Sequence, residues 1–157
     1  MRYIGDKNEI EEVKKFMLIA AEEAEKSGCK KSKRGSLVVK DGKIIGRGHV
    51  KPTIEKLCNP CIREGIHTNG QAELCCAIHA EQLAILNALK SGESLEGSVI
   101  YHIKVKNGEV RPAKGLSCTI CSRLIWKQAL KNLFYYLKTV TAPILRKRRI
   151  NYLLIIF

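Results

Sequence analysis

Hydrophobic positions in the first third of the chain follow a helical repeat and then two short strand-like runs. Apolar residues recur at helical spacing over residues 8–26, and Gly28 is expected to end the helix shortly afterwards. The runs 35–40 and 43–48 flank Asp41 and Gly42, a dipeptide typical of tight hairpins. The pattern predicts a helix followed by a β-hairpin.

The second half of the chain predicts a helix, a strand with a short return, a second helix and a last strand. Residues 79–90 are apolar nearly all round and lack Gly and Pro, so we expect a helix buried against a sheet. Strands are predicted at 99–105 and 133–137, with Asn107 and Gly108 turning the first of them into a short strand at 109–111. A helix is predicted at 122–131. Residues 51–77 are polar and cysteine-rich, and loops of that length are usually functional.

Length and composition indicate one folded domain. The chain has 157 residues, of which 45% are hydrophobic and 27% are charged, proportions ordinary for a globular protein. We expect residues 1–157 to form a single domain. No apolar run approaches the roughly 18 residues of a membrane helix, and the N-terminus has no apolar core of a secretory signal. The expected location is therefore the cytoplasm, with no membrane partner.

The net charge of +13 predicts attraction to phosphate-bearing partners, either a nucleotide or a nucleic acid. Basic residues concentrate in a loop at 30–34 and in a tail at about 143–157, where a cluster at 146–149 precedes an apolar end at 150–157. The apolar end is expected to pack on the core or on another subunit. A solvated lysine-rich surface is the alternative explanation of the charge.

Four residues in the middle of the chain form a pattern typical of a catalytic metal site. His79 and, two residues later, Glu81 open the helix predicted at 79–90, and Cys118 and Cys121 follow further on. One imidazole and two thiolates form a ligand set suited to Zn²⁺, and three protein ligands leave a fourth position for water. Zinc lowers the pKa of such a water, and Glu81 would shuttle its protons.

Helix geometry allows these residues to meet. Cys118 and Cys121 are three residues apart and share a helix face, whereas His79 and Glu81 can meet one ion only if it lies off the first turn of their helix. Two helix N-termini directed at one ion are expected to lower the thiol pKa values. Taken singly, His79 would more often be a buried, hydrogen-bonded histidine than a metal ligand. The cysteine pair alone would fit a redox pair or half of a structural zinc site.

A second group of cysteines lies in the segment at 51–77. Cys58 and Cys61, with Cys75, Cys76 or His67, would suffice to hold a second, structural zinc. Unligated or paired thiols are the alternative, and the spacing alone leaves both open.

The order His79-Ala80-Glu81 followed by Cys118 and Cys121 resembles the zinc-dependent cytidine and deoxycytidylate deaminases, whose signature is H-x-E…P-C-x-x-C. The cysteine-rich insertion before His79 resembles the deoxycytidylate deaminases most closely.

The chain departs from this family at three positions. Ser117 stands in the place of the proline, and Val50 and Leu83 stand where the family often has asparagine. The departures remove none of the four residues that carry the resemblance. Val50 alters the expected recognition of the sugar, Leu83 alters the expected substrate contacts, and Ser117 alters the expected turn before Cys118.

The resemblance implies a fold, a mechanism and partners. The fold is a three-layer α/β/α sandwich around a mixed sheet of about five strands. The implied reaction is hydrolytic deamination of the cytosine of a nucleotide, which converts dCMP to dUMP. The resemblance implies His79, Cys118 and Cys121 as zinc ligands and Glu81 as the proton carrier. The backbone amide of Ala80 would bind the carbonyl of the base, and the protein would be a homo-oligomer.

Two other functions fit parts of the sequence. A deaminase acting on a base within RNA or DNA fits the basic charge, and a non-catalytic, zinc-stabilised nucleic-acid-binding module fits the cysteine pairs.

Overall fold

The structure, a computed structural model, describes residues 7–64, 74–111, 118–128 and 132–135. The elements follow in chain order: α1 (Lys7–Glu25), β1 (Lys33–Lys40), β2 (Lys43–His49), β3 (Lys51–Pro52), α2 (Glu55–Cys58), β4 (Ala77–Ile78), α3 (Ala80–Lys90), β5 (Val99–Lys106), β6 (Glu109–Arg111), α4 (Thr119–Lys127) and β7 (Asn132–Tyr135).

Five strands form one mixed sheet. Strand β1 lies between β2 and β5 and is antiparallel to both. On its other edge β5 pairs with two strands, parallel with β7 along Val99–His102 and antiparallel with β6 along Lys104–Lys106. This arrangement confirms the mixed, five-stranded sheet predicted from the sequence.

Helices cover both faces of this sheet. Because side chains alternate along a strand, Leu37 and Val39 of β1 pack in the cluster under α1, while Val38 between them packs in the cluster under α3. The neighbouring strand β5 does the same, with Tyr101 towards α1 and Ile100 towards α3. The three-layer α/β/α sandwich is therefore confirmed.

The two predicted turns adopt the backbone that tight hairpins need. Asp41 and Gly42 have φ of 49° and 75°, and Asn107 and Gly108 have φ of 55° and 74°. Two consecutive left-handed residues match the twist of antiparallel strands and are favoured by Asp-Gly and Asn-Gly.

Helix α3 lies directly on strand β2 because two glycines of the strand face it. A Cβ at Gly48 would lie 2.3 Å from the carbonyl oxygen of Ala80 and 2.3 Å from the amide nitrogen of Ala84. A Cβ at Gly46 would lie 2.2 Å from the carbonyl oxygen of Ala84. The height of the first turn of α3 above the sheet is therefore set by the absence of side chains on β2.

Several details differ from the sequence-based prediction. Helix α4 begins at Thr119 and ends at Lys127, earlier at both ends than predicted. The prediction that α3 is buried all round is wrong, since Leu86 and Leu89 are 42% and 44% exposed. At the two ends of the segment at 51–77 the strands β3 and β4 pair, which the polar composition did not indicate.

Some predictions lie outside the described residues. They concern His67, Ser117, the end of the last strand at 136–137 and the tail at 143–157. Within the parts of the chain that the structure describes, no helix combines the length and apolarity needed to cross a membrane.

We expect Gly48→Ala to destabilise the protein because its new methyl group meets backbone atoms that cannot rotate away. Overpacking of this kind costs about 1–3 kcal/mol, measured as the free energy of unfolding in urea. Gly28→Ala is the matched control, since its Cβ would lie 3.7 Å from the nearest atom, an ordinary contact. Equal stability of the two variants would contradict this account of the α3–β2 packing.

Candidate metal centre

Three potential metal donors converge where two helices begin. His79 is the N-cap of α3, Cys118 is the N-cap of α4, and Cys121 lies in the first turn of α4. The Nδ1 atom of His79 lies 3.3 Å from the Sγ atom of each cysteine. All three donor atoms lie within 4.8 Å of one another. The structure therefore brings together the three residues that the sequence predicted as ligands.

The backbone at His79 is held on both sides. Strand β4 ends one residue earlier at Ile78, which pairs with Lys51 of β3. On the other side the amide of His79 donates a hydrogen bond of 3.0 Å to Oε1 of Gln82. The imidazole is thus attached to a backbone fixed by a strand pair and by the first turn of a helix.

The two cysteines differ in their surroundings. Cys118 is partly buried, and its sulfur accepts a hydrogen bond of 3.5 Å from the amide of Cys121. Cys121 is fully buried. Burial, followed by the negative charge of Glu81, raises the pKa of the Cys121 thiol far above its usual range. Burial and the charge of Glu81 thus act on the Cys121 thiol in the direction opposite to the one expected from two helix N-termini at a bound ion.

The donor set fits zinc. Tetrahedral zinc with usual bond lengths places a nitrogen and a sulfur ligand about 3.5 Å apart and two sulfurs about 3.8 Å apart. The nitrogen–sulfur distances of 3.3 Å are close to this value. A divalent cation would also supply the positive charge that a buried Cys121 thiolate needs. The assignment of the three residues as zinc ligands stays a prediction with a geometry that suits it.

Glu81 is a buried carboxylate beside these donors. It is the second residue of α3 and is only 4% exposed. Its charge is close enough to Cys121 to contribute to the raised pKa of that thiol. Ala80, also buried, is the first residue of α3. A backbone N–H at this helical position has no acceptor within the helix. It is therefore able to donate to a base carbonyl.

A polar cluster that the sequence did not indicate lies beside Glu81. His102 of β5 is buried, with its Nδ1 atom 2.7 Å from Oγ of Ser36 and 3.6 Å from Oε2 of Glu81. Its Nε2 atom lies 3.2 Å from Nη1 of Arg34. Burial lowers the pKa of His102 to about 4, although Glu81 acts in the opposite direction. A single histidine inside the apolar strand at 99–105 was the one sequence feature that could have revealed it.

Two of the positions that depart from the family, Val50 and Leu83, lie in the described parts of the chain. Val50 is buried, and its carbonyl oxygen accepts a hydrogen bond from the hydroxyl of Ser27. Leu83 is half-buried on α3. Neither side chain can hydrogen-bond a sugar.

The second cysteine group contains one close pair. The Sγ atoms of Cys58 and Cys76 lie 3.0 Å apart, and the hydrogen bond between them raises the pKa of Cys58 to about 12. Over residues 7–64, 74–111, 118–128 and 132–135, only His79, Cys118 and Cys121 form a group of three donors close enough to share an ion. A second zinc stays an untested alternative, and its candidate ligand His67 lies outside these ranges.

Comparison with known proteins gives consistent results. The profile of the cytidine and deoxycytidylate deaminase zinc-binding region matches residues 10–137. A deoxycytidylate deaminase of Mycobacterium phage D29 is 30% identical over 129 residues, which are 76% of this chain and 90% of the phage protein.

Solved structures of one relative share the fold. The dCMP deaminase of cyanophage S-TIM5 in its apo form has a TM-score of 0.57 and 29% identity, over 86% of this chain and 88% of the phage chain. The same enzyme in complex with dCMP and dUMP has a TM-score of 0.57 and 25% identity, over 85% of each chain.

A three-layer sandwich with an imidazole, two thiols and a carboxylate gathered at two helix N-termini defines a deaminase-type enzyme of the zinc-binding class. The chain belongs to the cytidine and deoxycytidylate deaminase family.

We expect the stability of the protein to fall as the pH is lowered from about 6.5 towards 4. An unfolded histidine takes up a proton below its pKa of 6.5, whereas native His102 stays neutral down to about 4. The unfolded state then binds more protons, so acid favours unfolding, by on the order of 1–2 kcal/mol between pH 7 and 5 for this group. Urea unfolding at both pH values measures the difference.

The control for this pH dependence is His102→Asn, which has no titrating ring. Its stability should change less between pH 7 and 5 than that of the wild-type protein. Identical pH dependence in the two proteins would contradict the buried neutral state of His102.

Proposed function

We propose that the protein is a zinc-dependent deaminase that hydrolyses dCMP to dUMP and ammonia. The observation that carries the proposal is the convergence of His79, Cys118 and Cys121 beside the buried carboxylate of Glu81. This combination supplies a metal-binding set and a proton carrier at one point.

His79, Cys118 and Cys121 would hold the zinc through Nδ1 and two sulfurs. Zinc bound there supplies a Lewis acid that brings the pKa of water close to neutrality. The sequence contributes three donors, and such sites characteristically keep a fourth position open for catalysis.

Glu81 would carry the protons of the reaction. Its carboxylate takes a proton from the attacking water and delivers it to N3 of the cytosine ring, while the oxygen of that water attacks C4. It then takes the remaining proton of the added oxygen and transfers it to the amino group, which leaves as ammonia. The overall balance is dCMP plus water giving dUMP plus ammonia, so Glu81 ends in its starting state.

Ala80 would orient the base during these steps. Its amide belongs to the first turn of α3, directly between the metal donor His79 and the proton carrier Glu81. A hydrogen bond from this amide to the O2 carbonyl of the base would place the ring against both groups.

The choice of dCMP as substrate is supported by the relatives. The phage D29 protein is named a deoxycytidylate deaminase, and the cyanophage enzyme has been solved with dCMP and dUMP. The net charge of +13 suits a substrate that carries a phosphate. A cytoplasmic location accords with a free nucleotide as substrate.

A polynucleotide substrate is the second candidate, and the +13 charge is the observation that favours it. Part of that charge in the basic loop is engaged within the protein, since Lys30 contacts Asn59 and Lys33 contacts Glu25. Ammonia release from dCMP, cytidine and tRNA, measured side by side, tests both candidates. Release from dCMP alone supports the proposal, release from tRNA alone supports the second candidate, and salt-sensitive binding with no release supports a non-catalytic module.

A homo-oligomer remains part of the proposal. Large apolar side chains on α3 and α4 are exposed, including Ile120 at 57% and Trp126 at 76%. Exposed apolar residues of this size suit a contact between subunits.

We expect Glu81→Gln to retain zinc and to lose nearly all turnover, by about 10²–10⁴-fold, because an amide cannot carry the protons. The measurements are ammonia release from dCMP and zinc per chain. Glu23→Gln is the control, since Glu23 is 5% exposed, close to the burial of Glu81, and its carboxylate pairs with His49 and Lys26, which are not among the three donors. Full activity of Glu81→Gln would remove Glu81 from the mechanism.

We expect Cys121→Ala to lose one zinc per chain, because two donors are too few for a stable site. Elemental analysis of the purified protein measures the metal. The double variant Cys58→Ser, Cys61→Ser tests the alternative second zinc in the same experiment. An unchanged zinc content in Cys121→Ala would contradict the assigned ligands, and an unchanged content in the double variant would reject the second site.

A further inference from the structure

A buried histidine that takes no part in the proton transfers lies beside Glu81. His102 stands in the central strand β5 and is 1% exposed. Its Nδ1 atom is 3.6 Å from Oε2 of Glu81. Buried polar groups are costly unless they are hydrogen-bonded. The hydrogen-bond partners of the ring therefore decide which of its nitrogens carries the hydrogen.

The partners of His102 determine its tautomer. Nη1 of Arg34 lies 3.2 Å from Nε2 of His102. A guanidinium group has donors and no acceptor, so Nε2 must accept and carries no hydrogen. Burial keeps the ring neutral by lowering its pKa to about 4. The single hydrogen of the neutral ring is therefore on Nδ1, the nitrogen on the side of Glu81.

Ser36 holds the ring in this orientation. Ser36 of β1 is directly opposite His102 in the register of the two antiparallel strands. Its Oγ atom lies 2.7 Å from Nδ1 and accepts the hydrogen bond. Both residues are buried, so the ring is clamped between Ser36 on one side and Arg34 on the other.

We propose that His102 is a positioning residue for Glu81, presenting the Nδ1–H edge of a neutral ring to the carboxylate and fixing its orientation. At 3.6 Å the contact is electrostatic and longer than a hydrogen bond. A neutral donor orients the carboxylate without placing a full positive charge beside it. A full charge would favour the ionised carboxylate and so oppose its role as a proton carrier. Arg34 lies against the other ring nitrogen, Nε2, and so polarises the imidazole. The inference rests on the proposed function, because it concerns the same reaction.

Two variants of His102 separate this role from simple structural support. An asparagine amide reaches the position of Nδ1 and can keep an N–H towards Glu81 and Ser36. A glutamine amide reaches the position of Nε2 and can keep the acceptor for Arg34, but loses the donor towards Glu81. Positioning through Nδ1–H therefore predicts that His102→Asn is the more active variant, whereas support of Arg34 alone predicts the reverse.

We expect His102→Gln to lower kcat for ammonia release about 10–100-fold, the usual effect of losing a partner of a site residue. KM should stay within about 2-fold, since substrate binding is not the affected step. His102→Asn should retain kcat within about 5-fold of wild type, and both variants should keep their zinc. Tyr101→Phe is the control, because Tyr101 is buried on the opposite face of the same strand.

Equal losses of kcat in His102→Gln and His102→Asn, or a loss confined to KM or to zinc content, would overturn the positioning role. A wild-type protein that releases no ammonia from any of the substrates would instead overturn the proposed function.

Nitrogen-15 NMR of the histidine rings tests the same idea without turnover. We expect His102 in the zinc-loaded protein to show a protonated Nδ1 and an unprotonated Nε2, with the Nδ1 resonance shifted in Glu81→Gln. A protonated Nε2, or a resonance that does not respond to Glu81→Gln, would contradict the inference even in a fully active enzyme.

Discussion

The donors of the candidate metal centre come from the first turns of two helices, α3 and α4, that are far apart in sequence, so everything depends on how these two starts are held together. Gly46 and Gly48 let α3 lie directly on β2, and the β3–β4 pair fixes the chain immediately before His79. The thiols of α4 then meet the imidazole at 3.3 Å. A shift of about 1 Å in either helix start would be enough to disturb a site of this precision.

Buried charge is the second constraint on the site. A carboxylate and a thiol lie close together in a region from which water is largely excluded, and burial with the charge of Glu81 raises the pKa of Cys121. Zinc would compensate this negative charge, which is why folding and metal binding should be linked. The other charged neighbour is indirect: His102 lies 3.6 Å from Glu81 and its second ring nitrogen lies 3.2 Å from Arg34. The carboxylate thus has both the potential metal donors and a buried histidine as neighbours.

Much of this arrangement could be predicted from the sequence. The hairpin turns at Asp41-Gly42 and Asn107-Gly108 and the apolar periodicity of α1 are local features, and they led to the correct elements. The order of His79, Cys118 and Cys121 predicted a group of donors that the structure also brings together, while their role as zinc ligands stays a prediction.

Other features depend on tertiary contacts that no local pattern encodes. The exposure of Leu86 and Leu89 follows from which face of α3 meets the sheet. The pairing of Ser36 with His102 follows from strand register, since the two residues are 66 positions apart. Burial raises the pKa of Cys121, and the burial of one side chain depends on the tertiary structure around it.

X-ray absorption spectroscopy at the zinc edge tests the central claim most directly. In the Cys58→Ser, Cys61→Ser variant, in which a second site would not contribute, the account predicts two sulfurs at about 2.3 Å and two nitrogen or oxygen ligands at about 2.0–2.1 Å. Zinc surrounded by four sulfurs, or by none, would contradict it.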